Sequence, residues 1–418
     1  MILRAKIVVP VSAPPIENGA VEIRGNEILR VGRWEDKQVH TSGEVLNLGD
    51  VILLPGLVNA HCHLDYTGMA GKVPPPRRFS DWVRALVALK ATSTESDYAE
   101  SWKAGAKMLL QTGTTTVYDI EAVPTLIPAA WQWTPLRVIS FRELIALRDQ
   151  SKTAPFLDSA VNEWRKIERQ DRVGLSPHAP YTTTANVLHF AANAARKFGW
   201  PLTTHVAESE EEFEMFLYRS GPLFDWLKSQ RDMSDCGRGS PVAFLEENEY
   251  LGPHLLAVHM NYLWRHDATT LAKRGVSVVH CPRSHDYFRH LRFPRADLED
   301  AGVNICLGTD SLATTRKIGA QLPELNMFKE MQAFSAEFPE VAPQAILKMA
   351  TINAAQALGR KGHFGELAAG TAADLIAVPY PEGAASIYDA VIQHRGNVVA
   401  SMIGGEWALK PGEAAGSN

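Results

Sequence analysis

At 418 residues, with 45% apolar and 21% charged side chains, the chain has the make-up of a soluble globular protein able to bury a large core, one large domain plus a small one. A net charge of -5, without any Lys/Arg-rich run interleaved with aromatics, argues against nucleic-acid binding and leaves small molecules as the expected partners. No stretch of roughly 20 apolar residues reads as a membrane span, and MILRAKIVVP lacks the long apolar core and cleavage site of a signal peptide. The four cysteines, Cys62, Cys236, Cys281 and Cys306, are scattered and form no C-x-x-C pair, which predicts free thiols in a reducing cytoplasm.

Residues 1–54 alternate apolar and polar side chains in short pieces (AKIVVPV, AVEIRGNEILRVG, EVLNLGDVILL), and residues 363–418 repeat the style (FGELAAGTAADLIAVPY, VVASMIGGEWAL). Both ends read as antiparallel β-structure, and they are expected to meet in one small β-sandwich. The final PGEAAGSN is expected to fray. Between them, over 55–362, β-rich runs alternate with helical patterns: LVNAHCH, TTTVYD, LRVISF, RVGLSPH, PLTTHVAE, LLAVHM, VSVVHCP and VNICLGTD. Eight strand-helix units predict an α/β fold, a distorted (β/α)8 TIM barrel whose functional residues sit at the C-terminal ends of the strands. ESWKAGAKMLLQTG and TANVLHFAANAARKFG read as helices closed by Gly113 and Gly199. Two long connections, 64–97 and 229–253, are placed to form lids or substrate walls.

Polar residues recur at those strand ends. On an extended strand His61 and His63 point to one face and Cys62 to the other. His178 ends the fourth strand and His205 the fifth, with Glu208 three residues on; His259, His280 and Asp310 end the sixth, seventh and eighth. One such histidine is unremarkable in a core or on a surface, but a barrel gathers all of these at one mouth. Neutral imidazoles with one carboxylate suit a divalent first-row metal that keeps an open position for water, and His61, His63, His205 and Asp310 are the expected ligands. Such an ion lowers the pKa of its water from about 16 towards 7. Asp310 is placed to take the water's proton, Glu208 to protonate a heterocycle or leaving group, and His259 to orient the nucleophile. The rest of the Glu208 to Glu212 run reads as a solvated helix start. His40, His189, His254, His266, His290, His363 and His394 are assigned no role.

The ordered set PGLVNAHCH, HAPYT, HVAE, HCP-x-S, GTDS and GELAAGTAADLIAV resembles the metal-dependent amidohydrolase superfamily, in its cytosine/guanine/adenosine-type deaminase and chlorohydrolase-like branch. The resemblance covers nearly the whole chain. It implies one catalytic zinc or iron on the four ligands named above, proton shuttling by Glu208 and His259, substrate contacts from His178 and His280, and a homodimer. Binuclear members carry a carboxylated lysine at the end of strand four; here Ser176, Pro177 and His178 stand there, which implies a single metal. Where the family often has Asn after HCP-x-S, this chain has His285. The expected reaction is hydrolytic deamination of an amino-heterocycle, with an aminopurine nucleoside such as an adenosine derivative or aminodeoxyfutalosine as substrate. Trp82 or Phe79 would stack on the ring, and Arg283, Arg142 or the Arg77-Arg78 pair would bind an anionic group. The alternatives are a chlorohydrolase or cyclic amide or ureide hydrolase at the same centre, and a metal-binding barrel without catalysis. No G-x-G-x-x-G or P-loop motif supports a dehydrogenase or kinase, and without C-x-x-C the H-x-E deaminases are excluded.

Overall fold

The computed structural model describes residues 1–418 apart from 37–43, 149–152, 318, 384–385 and 413–418, so His40 and most of the terminal segment lie outside the described residues. Sixteen strands are described: β1 Ile2–Val8, β2 Ile16–Arg24, β3 Glu27–Arg33, β4 Val45–Asn47, β5 Val51–Pro55, β6 Leu57–Cys62, β7 Thr114–Glu121, β8 Arg137–Leu144, β9 Val173–Pro177, β10 Leu202–Val206, β11 Leu255–His259, β12 Ser277–His280, β13 Asn304–Leu307, β14 Leu375–Pro379, β15 Ala400–Ile403 and β16 Glu406–Leu409. Strands β6 to β13 pair in sequence order as one sheet, every pair parallel. The sheet closes on itself where the Thr309 and Asp310 amides donate to the His61 carbonyl, at 3.0 and 3.1 Å, and Cys62 bridges Asp310 in parallel register. Asn59 locks the seam: its Nδ2 donates to Thr309 Oγ1 at 2.7 Å and its Oδ1 accepts from the Thr309 amide at 3.0 Å.

Such strands need residues that tolerate burial on both faces, and β6, β7, β9, β10, β11 and β12 are buried at every position. Val58, Tyr118, Ile139, Phe141 and Val258 join in one apolar cluster, and the surrounding helices pack with the remaining strand side chains in another. The helix Glu95–Gln111 starts at a Thr94/Asp97 capping box, and Ala185–Phe198 stops at Gly199, whose φ of 70° suits a residue without a Cβ. No described helix is long and apolar enough to cross a membrane. All four cysteines are free and buried.

Both chain ends build the second sheet, in the order β16-β15-β14-β5-β1-β2-β3 with β4 also on β1. The expectation of purely antiparallel pairing fails at β1, in the interior of the sheet. β1 runs parallel to β4 and β5, because the two reversals at β2 and β3 leave the chain running in the direction of β1 before it pairs with the other side of that strand.

Arg137, at the start of β8, reaches across to this sheet and holds the Asp374 carboxylate with two guanidinium nitrogens, while Asp374 Oδ1 also accepts from the Gly404 amide at 2.7 Å. Asp374 is only 2% exposed at its side chain, so removing its partner strands a buried charge. Arg137→Ala is therefore expected to lower unfolding free energy on the order of 3 kcal/mol. Denaturant titration checks this, and Asp374→Asn in the same background should recover part of the loss; an unchanged midpoint would remove this bridge from the account.

Candidate active site

Four non-glycine residues at the strand ends hold positive φ: Ala207 at 50°, His259 at 77°, Met260 at 47° and Asp310 at 53°. That conformation is costly for residues with a Cβ, and it persists where surrounding bonds over-determine it. Here the Met260 and Asn261 amides donate to the Val206 and Ala207 carbonyls at 3.1 and 3.0 Å, lacing the ends of β10 and β11 together. The result turns successive side chains toward the barrel axis.

His61, His63 and His205 bring ring nitrogens within 4.8 Å of one another, and a carboxylate oxygen of Asp310 lies 3.7 Å from His61 Nε2 and 3.8 Å from His63 Nε2. His205 Nδ1 donates to the His178 carbonyl at 2.8 Å, which leaves Nε2 as a bare lone pair facing His63 Nε2 at 3.3 Å. Burial, reinforced by His61, holds the His63 imidazole well below its ordinary range, and the same causes bring His205 to about 4. Burial opposes ionisation of Asp310, but the facing imidazoles of His61, His259 and His63 outweigh it and hold its carboxyl well below the ordinary carboxylate range. Asp310 Oδ2 accepts from Ser284 at 2.7 Å and Thr314 at 3.0 Å, so the far oxygen is fixed while Oδ1 faces the histidines. Three imidazoles and one carboxylate converge, and His61 Nδ1 and Nε2 and His63 Nδ1 are buried without a hydrogen-bond partner. This donor set fits a divalent cation of the zinc or iron kind, since lone pairs at such distances otherwise repel.

Glu208, His259 and Asp310 form a second group whose donor atoms lie within 4.8 Å of one another, with His259 Nε2 3.6 Å from Glu208 Oε1. Burial, then the neighbouring carboxyl groups of Asp310 and Glu212, pushes the Glu208 carboxyl well above the ordinary range. Burial keeps His259 neutral. Asn261 Nδ2 donates to the Glu208 carbonyl at 2.9 Å, and Glu212 Oε2 accepts from the Glu208 amide at 2.9 Å. Glu212 corrects the reading of its run as solvated. Four residues on from Glu208 it faces inward, fully buried, with a carboxyl raised to about 8.

A cavity of about 250 Å³ opens over the centre, and His63, His178, His205, Glu208, His259 and Asp310 reach its wall. The expected lid over 64–97 takes shape as the helix Phe79–Lys90, which contributes Trp82, Val83, Leu86, Val87 and Lys90. From the 229–253 connection only Gln230 lines the cavity; the wall on that side comes from Trp226 and Leu227, just upstream. His178 lines the cavity, with its Nδ1 2.7 Å from Thr182 Oγ1.

His280 and Arg283 do not line it. His280 is fully buried and stacks on Phe293 at 3.9 Å between ring centroids, and Arg283 pairs with the buried Glu330 at 2.5 Å. Arg142 is likewise turned away, bound to Glu163 at 2.6 Å, while Arg77 and Arg78 are exposed before the lid helix and Phe79 packs behind Trp82. Sequence reasoning also missed Tyr66, Lys90 and Glu143, all on the cavity wall. Glu143 lies among the three residues of β8, Arg142 to Leu144, that extend past the run LRVISF, a stretch whose charge masks the strand pattern.

Residues 52–408 match the model of the amidohydrolase family. Over 377 residues the chain is 30% identical to the 5-methylthioadenosine/S-adenosylhomocysteine deaminase of Syntrophobacter fumaroxidans, a match covering 87% of this chain and 80% of that protein. An aminodeoxyfutalosine deaminase of Deinococcus radiodurans is 27% identical, with 83% and 82% covered. Among solved structures, an adenosine deaminase from Xanthomonas campestris with bound zinc superposes with a TM-score of 0.82 at 23% identity, covering 98% of this chain and 92% of that one. The chain belongs to the amidohydrolase family, and with it to the hydrolases of carbon–nitrogen bonds.

Proposed function

We propose that the protein is a hydrolytic deaminase of adenosine-type nucleosides, working with one divalent ion held by His61, His63, His205 and Asp310. The observation that carries this reading is Glu208: a buried carboxyl within reach of His259 and Asp310, its pKa pushed upward by burial, on the wall of a cavity whose outer part is lined by Trp82, Val83, Leu86 and Trp226. Hydrolysis of an ester or lactone has no need of such an acid, whereas an aromatic amine must gain a proton on its ring nitrogen before water can add. The names of the relatives support a 6-aminopurine nucleoside, and the zinc in the Xanthomonas campestris structure supports zinc as the ion.

When bound, the ion supplies a water of lowered pKa. The chain's own groups then divide the work. Glu208 donates its proton to the purine ring nitrogen next to the carbon under attack. Asp310 Oδ1 accepts a proton from the water, with Oδ2 kept in place by Ser284 and Thr314. His259 Nε2 orients the oxygen as it adds to C6. Asp310 returns its proton to the amino group, the C6–N bond breaks as ammonia leaves, and the C6 hydroxyl gives up its proton to Glu208, which restores both carboxyl groups and balances one water consumed against one ammonia released. Trp82 and the lid helix keep bulk water out.

Ammonia release from adenosine, 5′-deoxyadenosine, 5′-methylthioadenosine, S-adenosylhomocysteine and aminodeoxyfutalosine, on protein of known metal content, tests the reading. At least one of these is expected to turn over far faster than guanine, cytosine or a pterin. Background rates on every nucleoside with full metal occupancy would overturn it.

A further inference from the structure

The cavity contains one pair of charges that the reaction above does not use. Lys90, the last residue of the lid helix, donates from Nζ to the Tyr66 hydroxyl and stands 3.9 Å from Glu143 Oε2 at the end of β8. The Tyr66 ring in turn stacks on His63, 5.0 Å between centroids and 6° from parallel, which sets the pair beside the metal ligands. The Glu143 side chain is 8% exposed and that of Lys90 27%. Around them the outer wall is apolar: Val83, Leu86 and Val87 from the lid, Ile145 and Leu147 beyond β8, and Trp226 opposite.

Placing a carboxylate in such a wall costs desolvation, and a separation of 3.9 Å is too long for a hydrogen bond to repay it. Lys90 is the only ion-pair partner of Glu143 among the described residues. An acceptor and a donor held apart, both open to the cavity, fit a ligand that offers a hydroxyl to each. We propose that Glu143 and Lys90 form the subsite for the vicinal diol of the substrate's sugar: Glu143 accepts from one hydroxyl, and Lys90 donates to the oxygen of the other. Lys90 is also the one lysine or arginine among the described residues lining the cavity, and it is engaged with Glu143 and Tyr66. This assignment rests on the deaminase reading and names the substrate class within it.

The test compares adenosine with 2′,3′-dideoxyadenosine in the metal-loaded wild type, in Glu143→Gln and in Lys90→Met, and compares inosine with 2′,3′-dideoxyinosine by titration calorimetry, which needs no turnover. The wild type is expected to favour the diol by about 10- to 100-fold in kcat/KM, the span of a hydrogen bond to a charged group. Both variants should bring that ratio down towards one, chiefly through KM, and calorimetry should show the same collapse. A wild type indifferent to the diol, or variants that slow both nucleosides equally and keep the ratio, would overturn the subsite while leaving deamination standing. No ammonia from either nucleoside would overturn the deaminase reading and this assignment with it.

Discussion

His63→Ala protein is expected to emerge from purification with little bound metal and with turnover reduced by more than the roughly 10- to 100-fold that loss of a supporting contact costs. His63 stands 3.3 Å from His205 Nε2 and 3.8 Å from the Asp310 carboxylate, so deleting its imidazole leaves too few donors to close around an ion. Its ring also stacks on Tyr66, and the substitution opens the floor of the cavity on that side. Elemental analysis with steady-state kinetics separates the two effects. Excess zinc should restore only part of the activity, because the lost donor cannot be replaced by concentration. Full metal content and normal turnover would contradict the ligand assignment. His394→Ala is the matched control, since that side chain packs on Phe328 far along the chain from the strand ends.

Glu208→Gln tests the second half of the centre. Glutamine keeps the shape of the side chain and leaves untouched the backbone bonds to Glu212 and Asn261 that position it, but it has no proton to give. The variant is expected to retain its metal and to lose about 10²- to 10⁴-fold in kcat, with KM little changed, as for an interaction made chiefly in the transition state. Near-normal kcat would move the acid to another residue. A fall in metal content as large as that of His63→Ala would make Glu208 a ligand and not a proton donor.

The barrel was legible because parallel strands buried on both faces read as continuous β-branched runs, and because several of them end in histidine or a carboxylate that function explains. The eight runs correspond to β6 through β13, and His61, His63, His205, His259 and Asp310 at their ends meet at one mouth, whereas His280 packs on Phe293 instead. The supporting residues were harder to see. Ser284 fixes Asp310, and Asn261 and Glu212 fix Glu208; the HCP-x-S motif and the acidic run contain two of these residues without showing what they hold, since their partners lie on other strands or four residues along a helix. Arginines misled for the opposite reason. A guanidinium in sequence near a strand end looks like an anion binder, but Arg142 and Arg283 point outward to Glu163 and Glu330, because alternation on a strand or a helix turn decides which side a charge faces. The parallel pairing of β1 with β4 and β5 was hidden as well, because alternation is the same for either direction.

The most direct test of the central claim is to run the reaction in water enriched in oxygen-18 with the nucleoside that turns over best, and to weigh the product. The account predicts one heavy oxygen at purine C6, an intact bond from base to sugar, and one ammonia for each product molecule. Release of the free base, or a product without solvent oxygen at C6, would contradict it.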